Sequence, residues 1–129
     1  MSDENVSIVR RSYEAFRRRD LPTVIALLDP EVEYYQSDEV PWGGRYYGHA
    51  GVAEFFQKLT SAIESHVDPD QFVDAGDHVV AVGHTRGTVR ATGKDFEVPA
   101  VHVWRLRDGK VVRFEAYIDN PRMLAALRP

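Results

Sequence analysis

The spacing of apolar residues changes partway along the chain, and this change restricts the fold more than any other feature. Up to about Ser65, apolar side chains recur every three or four residues, which is typical of helices with one buried face. From about Gln71 onward the period is two, which is typical of strands. Helices followed by consecutive strands predict an α+β domain whose helices cover one face of the sheet.

The boundaries of the predicted elements come from turn residues. Asp29-Pro30 stops a short second helix, because proline cannot continue the helical hydrogen-bond ladder. Asn120-Pro121 resembles the start of a last helix. Helices are expected from the N-terminus to near Asp20, from Leu21-Pro22 to Leu28 and from Ala50 to Ser65, and strands over Val32–Tyr35, Gln71–Ala75, His78–Arg90, Phe96–Arg107 and Lys110–Ile118, with an irregular aromatic loop over Gln36–Gly48.

Composition limits the class of protein. A chain of 129 residues with 43% hydrophobic content predicts one domain, residues 1–129, with a real core. The absence of cysteine excludes disulfides and thiolate chemistry. A net charge of -4 argues against a nucleic-acid partner, and no apolar run approaches the ~20 residues of a membrane span. Because no leader-like segment is visible at the N-terminus, a soluble cytoplasmic protein without a membrane partner is expected.

The segment Glu97–Pro121 contains a β-hairpin around Asp108-Gly109 whose register has two alternatives. A two-residue turn would pair Arg107 with Lys110 and place His102 on one face with Glu115. A three-residue loop would pair Leu106 with Lys110 and would reverse the facing. The second alternative is preferred because it separates an almost wholly apolar face, with His102 in it, from a mixed face. The first face would hold His102, Trp104, Leu106, Val112, Phe114, Ala116 and Ile118, and the second Val101, Val103, Arg105, Val111, Arg113, Glu115, Tyr117 and Asp119.

Four sequence segments resemble one known family. They are Tyr13-Glu14-Ala15-Phe16 with Asp20, Pro41-Trp42-Gly43-Gly44 with Tyr47-Gly48, Gly51-Val52 with Phe55-Phe56, and the Asp108-Gly109-Lys110 hairpin closing at Asp119. Together they resemble the SnoaL-like polyketide cyclases and ketosteroid isomerase-like proteins of the nuclear-transport-factor-like superfamily. The resemblance implies a cone-shaped α+β barrel, with three N-terminal helices packed on a curved mixed, mostly antiparallel sheet and a short C-terminal helix. It also implies a homodimer formed through the outer sheet face.

The acid and base residues of the resembling families do not carry over intact. Cyclases and epoxide hydrolases of this type place a carboxylate on the last strand, at a position that corresponds to Ala116. Steroid isomerases use a carboxylate base at about the position of Tyr35, and a protonated carboxylic acid at about that of His102. The resemblance therefore implies the fold and a pocket, while the chemistry depends on other residues.

His102 is the main candidate for that chemistry, because a histidine titrates near neutral pH and can also hydrogen-bond a ligand carbonyl. Its alternative role is that of a core histidine satisfied by a neighbouring hydroxyl. Tyr13 and Tyr35 complete the predicted catalytic set as hydrogen-bond donors. If the turn at Thr92-Gly93 is bulged, His84 and Arg86 line the cavity, although a salt bridge at the rim is an alternative for Arg86. The predicted pocket-lining residues are Phe16, Trp42, Phe55, Leu59, Val82, His84, Arg86, Trp104, Phe114, Ala116 and Ile118.

Three functions remain open from the sequence. The first is a cofactor-independent isomerase or cyclase that removes a proton next to a carbonyl of a hydrophobic cyclic compound, steroid-like or polyketide-like. The second is a non-catalytic protein that binds such a ligand, which the apolar residue at Ala116 favours. The third is a dimeric interaction module using an outer patch of Val101, Val103, Val111 and Tyr117. No metal is expected, because His84 and His102 lack a third ligand. Asp119 is expected to cap the last helix.

Overall fold

A computed structural model describes residues 2–129, which form four helices and one six-stranded sheet with the strand order β2-β1-β6-β5-β4-β3. Neighbouring strands are antiparallel except β1 and β6, which are parallel. The predicted α+β class with a mixed sheet is confirmed, although the sheet is open and does not close into a barrel. The elements are α1 (Ser2–Arg17), α2 (Leu21–Ala26), β1 (Leu28–Gln36), β2 (Gly44–Tyr47), α3 (Gly48–Ala62), β3 (Ile63–Ala75), β4 (His78–Val89), β5 (Asp95–Arg107), β6 (Lys110–Ile118) and α4 (Asn120–Leu127).

Two predicted boundaries were wrong in ways that affect the site. Strand β1 continues to Gln36 because that residue pairs with Ala116 of β6 as well as with Gly44 of β2. Strand β3 begins at Ile63, immediately after α3, because Ile63 pairs with Val89 of β4. Pairing between distant strands thus overrides the local helical pattern at the end of α3.

The core lies between the helices and one face of the sheet. Val9 of α1, Val52 of α3 and Met123 of α4 are fully buried, each on the apolar stripe of its helix. Opposite them, Val79 of β4 and Phe114 of β6 are buried on the sheet. None of the helices formed by residues 2–129 is long and apolar enough to cross a membrane.

The β5–β6 hairpin has the two-residue turn, so the predicted three-residue loop was wrong. Arg107 pairs with Lys110, and both turn residues have positive φ, 54° at Asp108 and 77° at Gly109. This is the type I′ geometry that Asp-Gly favours. An extra residue on β6, Val112, then forms a bulge that shifts the register by one.

Beyond the bulge, the facing agrees with the preferred assignment for His102, Trp104, Phe114 and Ala116, which lie on the inner face. His102 pairs with Ala116, and Trp104 pairs with Phe114. Between the turn and the bulge the assignment reverses on β6 alone, so that Val111 is fully buried and is not part of an outer patch. Leu106, on β5, is buried as assigned. The bulge therefore sends Glu115 and Tyr117 to the outer face.

The β4–β5 register differs by one residue from the predicted one. Four residues, 90 to 93, connect Val89 to Lys94. His84 consequently pairs with Pro99, and Arg86 pairs with Glu97. A one-residue slip reverses every side chain, so His84 and Arg86, together with Val82, lie exposed on the outer face and not in the cavity.

Candidate functional site

A cavity of about 90 Å³ lies between the helices and the inner face of the sheet. Its walls are mainly aromatic and aliphatic, and its polar groups come from five different elements. The cavity is lined by Ser12, Tyr13, Phe16, Val24, Tyr34, Gln36, Trp42, Phe55, Phe56, Leu59, Ile63, Ser65, Val67, Thr85, His102, Trp104, Phe114, Ala116, Ile118 and Met123. Enclosed apolar walls with a few convergent polar groups are typical of small-molecule sites.

A chain of hydrogen bonds connects three of the lining residues. The indole Nε1 of Trp104 lies 3.0 Å from the Tyr13 hydroxyl oxygen, which in turn lies 2.7 Å from Nδ1 of His102. Tyr13 comes from α1, whereas His102 and Trp104 are alternate residues of β5 and therefore share a face. Helix α1, through Tyr13, and strand β5 therefore fix the position of the His102 imidazole jointly.

The partners of these hydrogen bonds favour one tautomer of His102. An indole N–H can only donate, so the Tyr13 oxygen accepts from Trp104. Within residues 2–129 the Tyr13 hydroxyl hydrogen has no acceptor other than Nδ1 of His102, so Tyr13 is assigned as the donor to Nδ1. A neutral imidazole whose Nδ1 accepts carries its proton on Nε2. Within residues 2–129 this Nε2–H has no acceptor, and His102 lines the cavity.

Burial keeps this pair of residues uncharged. Desolvation lowers the pKa of His102 from 6.5 to about 4, because the charged imidazolium is disfavoured away from water. Burial likewise raises the pKa of the Tyr13 hydroxyl above its ordinary value of 10. At neutral pH the His102 imidazole is therefore neutral. It is a weak base, and its Nε2–H is able to donate a hydrogen bond to a ligand.

Gln36, at the end of β1, is a second polar residue of the cavity wall and is 5% exposed. Its Oε1 accepts a hydrogen bond of 3.1 Å from Nε1 of Trp42. The loop after β1 holds Trp42 in place, since the Tyr46 hydroxyl bonds the carbonyl oxygens of Trp42 and Gly43. Gly43 allows close packing, because a Cβ there would overlap the carbonyl oxygen of Ser37.

The structure brings ten of the fourteen predicted site residues together around the cavity. Tyr35 is not among them. It lies on the outer face of β1, where the Arg45 guanidinium covers its ring and Tyr117 is its aromatic neighbour. The residues at the cavity are Tyr13, Phe16, Trp42, Phe55, Leu59, His102, Trp104, Phe114, Ala116 and Ile118.

The other three residues placed outside are those of β4. Arg86 forms an ion pair with Asp68, with Nε 2.6 Å from Oδ2, and is half exposed. His84 lies 3.4 Å from Asp70 on the same surface. Val82 is exposed beside them. They were predicted to line the cavity from a β4–β5 register that differs by one residue from the observed one.

Sequence reasoning missed the polar residues Ser12, Tyr34, Gln36, Ser65 and Thr85. The alternation of β1 could have identified two of these. Val32 is apolar and fully buried, so a period of two places Tyr34 and Gln36 on its face and Tyr35 on the opposite one. Nothing in the local sequence marks the other three.

No Asp or Glu is among the residues that line the cavity. Asp119 caps α4 as predicted, since its Oδ1 accepts from the backbone N–H of Arg122 at 3.1 Å. Glu115 lies on the outer face beside Arg113. Over residues 2–129 no three potential metal ligands are grouped closely enough to hold an ion.

The fold and the cavity define a class: an α+β domain with a mixed, open sheet and a largely apolar cavity between the sheet and the helices. The chain belongs to the SnoaL-like domain family, whose profile matches residues 9–114. No curated protein matches it in sequence.

Solved structures extend the similarity to almost the whole chain. An NTF2-like protein of unknown function from Burkholderia pseudomallei K96243 is 36% identical, with a TM-score of 0.92 over 98% of both chains. An NTF2-like protein from Burkholderia xenovorans LB400 is 31% identical, with a TM-score of 0.89 over 99% of this chain and 98% of that one. TerC, co-crystallized with polyporic acid, is 29% identical, with a TM-score of 0.88 over 96% of this chain and 98% of TerC.

Proposed function

We propose that the chain binds a small cyclic carbonyl compound in this cavity and promotes proton transfer at the carbon next to the carbonyl. It would act as a cofactor-independent isomerase or cyclase. The observation that carries the proposal is the buried Trp104–Tyr13–His102 chain. It ends at His102, which lines the cavity and whose Nε2 has no hydrogen-bond partner among residues 2–129. The co-crystallization of the similar protein TerC with polyporic acid supports binding of a small molecule.

In this mechanism His102 is a donor to the carbonyl oxygen. When the C–H bond next to the carbonyl breaks, its electrons form an enolate, and negative charge develops on the oxygen. A donor fixed in a dry site stabilises that charge without having to reorganise, typically by about 3 kcal/mol for one donor. Tyr13 and Trp104 are positioning residues, since they hold His102 in the tautomer that donates from Nε2.

The proton itself must go to water. The cavity wall has no carboxylate, and a histidine whose pKa is about 4 removes protons poorly. Stabilising the enolate is therefore the main contribution of the site. Substrates whose C–H group is already acidic should therefore react faster than a simple ketone.

The volume of the cavity limits the size of the ligand. An apolar cavity of roughly 150 Å³ holds one benzene molecule. The present cavity measures about 90 Å³, which is smaller than that, so its walls must move before even a single ring enters. Phe16 and Leu59 are only half-buried at the cavity wall and are the side chains best placed to move. We therefore favour a single-ring ligand over a steroid-sized one.

Deuterium exchange tests the proposal. Cyclohexanone in D2O would be followed by proton NMR, with and without the protein. We expect the wild type to accelerate loss of the signals next to the carbonyl, and His102→Gln to lose that acceleration. Exchange that is equal in the two proteins at every pH would remove His102 from the mechanism.

His84→Gln is the matched control, because His84 is an exposed histidine of the outer face. It should exchange cyclohexanone as fast as the wild type. If His84→Gln and His102→Gln lose activity equally, the effect does not come from the cavity.

A second candidate function is binding without catalysis, and the small apolar residue Ala116 favours it. Ala116 corresponds to the position at which related enzymes have a carboxylate on the last strand, and its short side chain leaves that part of the cavity free for a ligand. Cyclohexanone that binds to the protein, with exchange no faster than in buffer, would support this function over the first. Accelerated exchange would exclude it.

We also propose that two copies associate through the outer sheet face. Val82 and Tyr117 are exposed on this face, and Val101 and Val103 are half-buried. Apolar groups grouped on an exposed sheet favour association, and two-fold dimers are the commonest oligomers. Analytical ultracentrifugation should show a dimer that Tyr117→Lys weakens, and a wild-type monomer at micromolar concentration would contradict the proposal.

A further inference from the structure

Gln36 and His102 lie in one row across the inner face of the sheet. Gln36 pairs with Ala116, and Ala116 pairs with His102. The short side chain of Ala116 therefore separates two longer polar side chains, all three of which line the cavity. A ligand lying over Ala116 has a polar group on each side.

The amide of Gln36 has a defined orientation. Trp42 Nε1 can only donate, so the atom 3.1 Å away must be the amide oxygen, Oε1. The Nε2 group then has no hydrogen-bond partner within residues 2–129. It is not among the fully buried unpaired polar atoms of those residues, so it retains accessible surface, and Gln36 lines the cavity. An unpaired N–H₂ group in a residue that is 5% exposed is a donor available to a ligand.

The spacing of the two donors indicates what kind of ligand could join them. Two strand spacings separate the backbones of Gln36 and His102 by about 9.5 Å. Two hydrogen bonds of about 2.9 Å each leave roughly 4 Å between the acceptor oxygens, if the side chains extend in parallel. This separation suits two oxygens on alternate carbons of a compact molecule.

We propose that Gln36 is the second hydrogen-bond donor of the site and that the ligand is a compact 1,3-dicarbonyl compound. One oxygen accepts from His102 Nε2 and the other from Gln36 Nε2. The inference rests on the proposed function and specifies its substrate class. It also explains how the site works without a carboxylate, because a carbon between two carbonyl groups gives up its proton to water far more readily than one beside a single carbonyl.

Binding measurements with two matched probes test the inference. Pentane-2,4-dione has two carbonyls on alternate carbons, and pentan-2-one has one. NMR titration of the wild type should show about tenfold tighter binding of the dione, the contribution expected of one additional hydrogen bond in a dry site. Equal affinity of the wild type for both probes would overturn the substrate class.

Two variants test the role of Gln36. Gln36→Met removes the amide at nearly constant volume. Gln36→Glu, at a pH at which its carboxyl is ionised, removes the N–H₂ donor while keeping an acceptor for Trp42. Both should reduce the preference for the dione, taken as the ratio of the two affinities within each variant, to less than about twofold. Gln57→Met, which changes an exposed glutamine of α3, should keep the preference.

The outcomes separate this inference from the proposed function. If either folded Gln36 variant keeps the tenfold preference, Gln36 is not the second donor. If the wild type binds neither the dione nor the ketone, the proposed function itself fails. Because Gln36→Glu retains the Trp42 hydrogen bond, the test does not depend on Gln36→Met folding.

Discussion

Replacement of His102 by glutamine should remove a specific part of the acid sensitivity of folding. Above pH 6.5 the imidazole is neutral in both the folded and the unfolded chain. Below that pH His102 binds a proton in the unfolded chain but stays neutral in the folded chain, because burial lowers the pKa of His102 in the folded chain to about 4. Stability must therefore fall as the pH falls from 6.5 towards 4.

The size of this effect follows from the two pKa values. Over the pH range in which His102 is protonated only in the unfolded chain, each pH unit lowers the free energy of unfolding by about 1.4 kcal/mol. Between about pH 7.5 and about pH 5 the wild type should lose roughly 2 kcal/mol through His102 alone. That is a large share of the 5–15 kcal/mol typical of a domain.

Urea denaturation at both pH values, for the wild type and His102→Gln, measures the difference directly. The chain has four other histidines, which are common to both proteins and cancel in the comparison. The wild type should lose about 2 kcal/mol more than the variant on acidification. Equal losses in the two proteins would mean that His102 is accessible to water and titrates normally in the folded chain.

Three further substitutions test the site and its support. Tyr13→Phe leaves Trp104 Nε1 and His102 Nδ1 without a partner, and each unpaired buried group should cost about 1–3 kcal/mol in urea denaturation; no loss would mean that these hydrogen bonds do not form. Ala116→Leu should fill the cavity and abolish binding of pentane-2,4-dione in an NMR titration. Its effect on stability should stay below about 1 kcal/mol, because the added atoms enter empty space. Retained binding would mean that the ligand binds elsewhere. Asp119→Ala removes the cap of α4 and should cost about 1 kcal/mol by thermal denaturation without affecting ligand binding.

The sequence was sufficient to predict the α+β class and most of the apolar cavity wall. The periods of α1 and α3 place Phe16, Phe55 and Leu59 on buried faces, and a helix buries its apolar stripe whatever its exact partner. His102 and Trp104 were also predicted on the inner face of the hairpin. There the assumed three-residue loop and the observed bulge at Val112 shift the register in the same sense.

The site residues that were predicted wrongly share one physical cause: an error of one residue along a strand places a side chain on the wrong face of the sheet. Tyr35 in place of Tyr34 and Gln36, and His84 in place of Thr85, are errors of one residue that reverse the face. The length of the loop over residues 90–93 and the end of β1 depend on partners far away in the chain. The hydrogen bonds from Trp104 through Tyr13 to His102 join residues about ninety positions apart, so no local pattern could show them.

Nitrogen-15 NMR of the His102 side chain reports which ring nitrogen carries the proton. Near neutral pH we expect a neutral imidazole protonated on Nε2, whose Nε2 signal shifts when pentane-2,4-dione is added. An imidazole protonated on Nδ1, or an Nε2 signal that does not respond to a bound dione, would mean that His102 does not donate a hydrogen bond to the ligand.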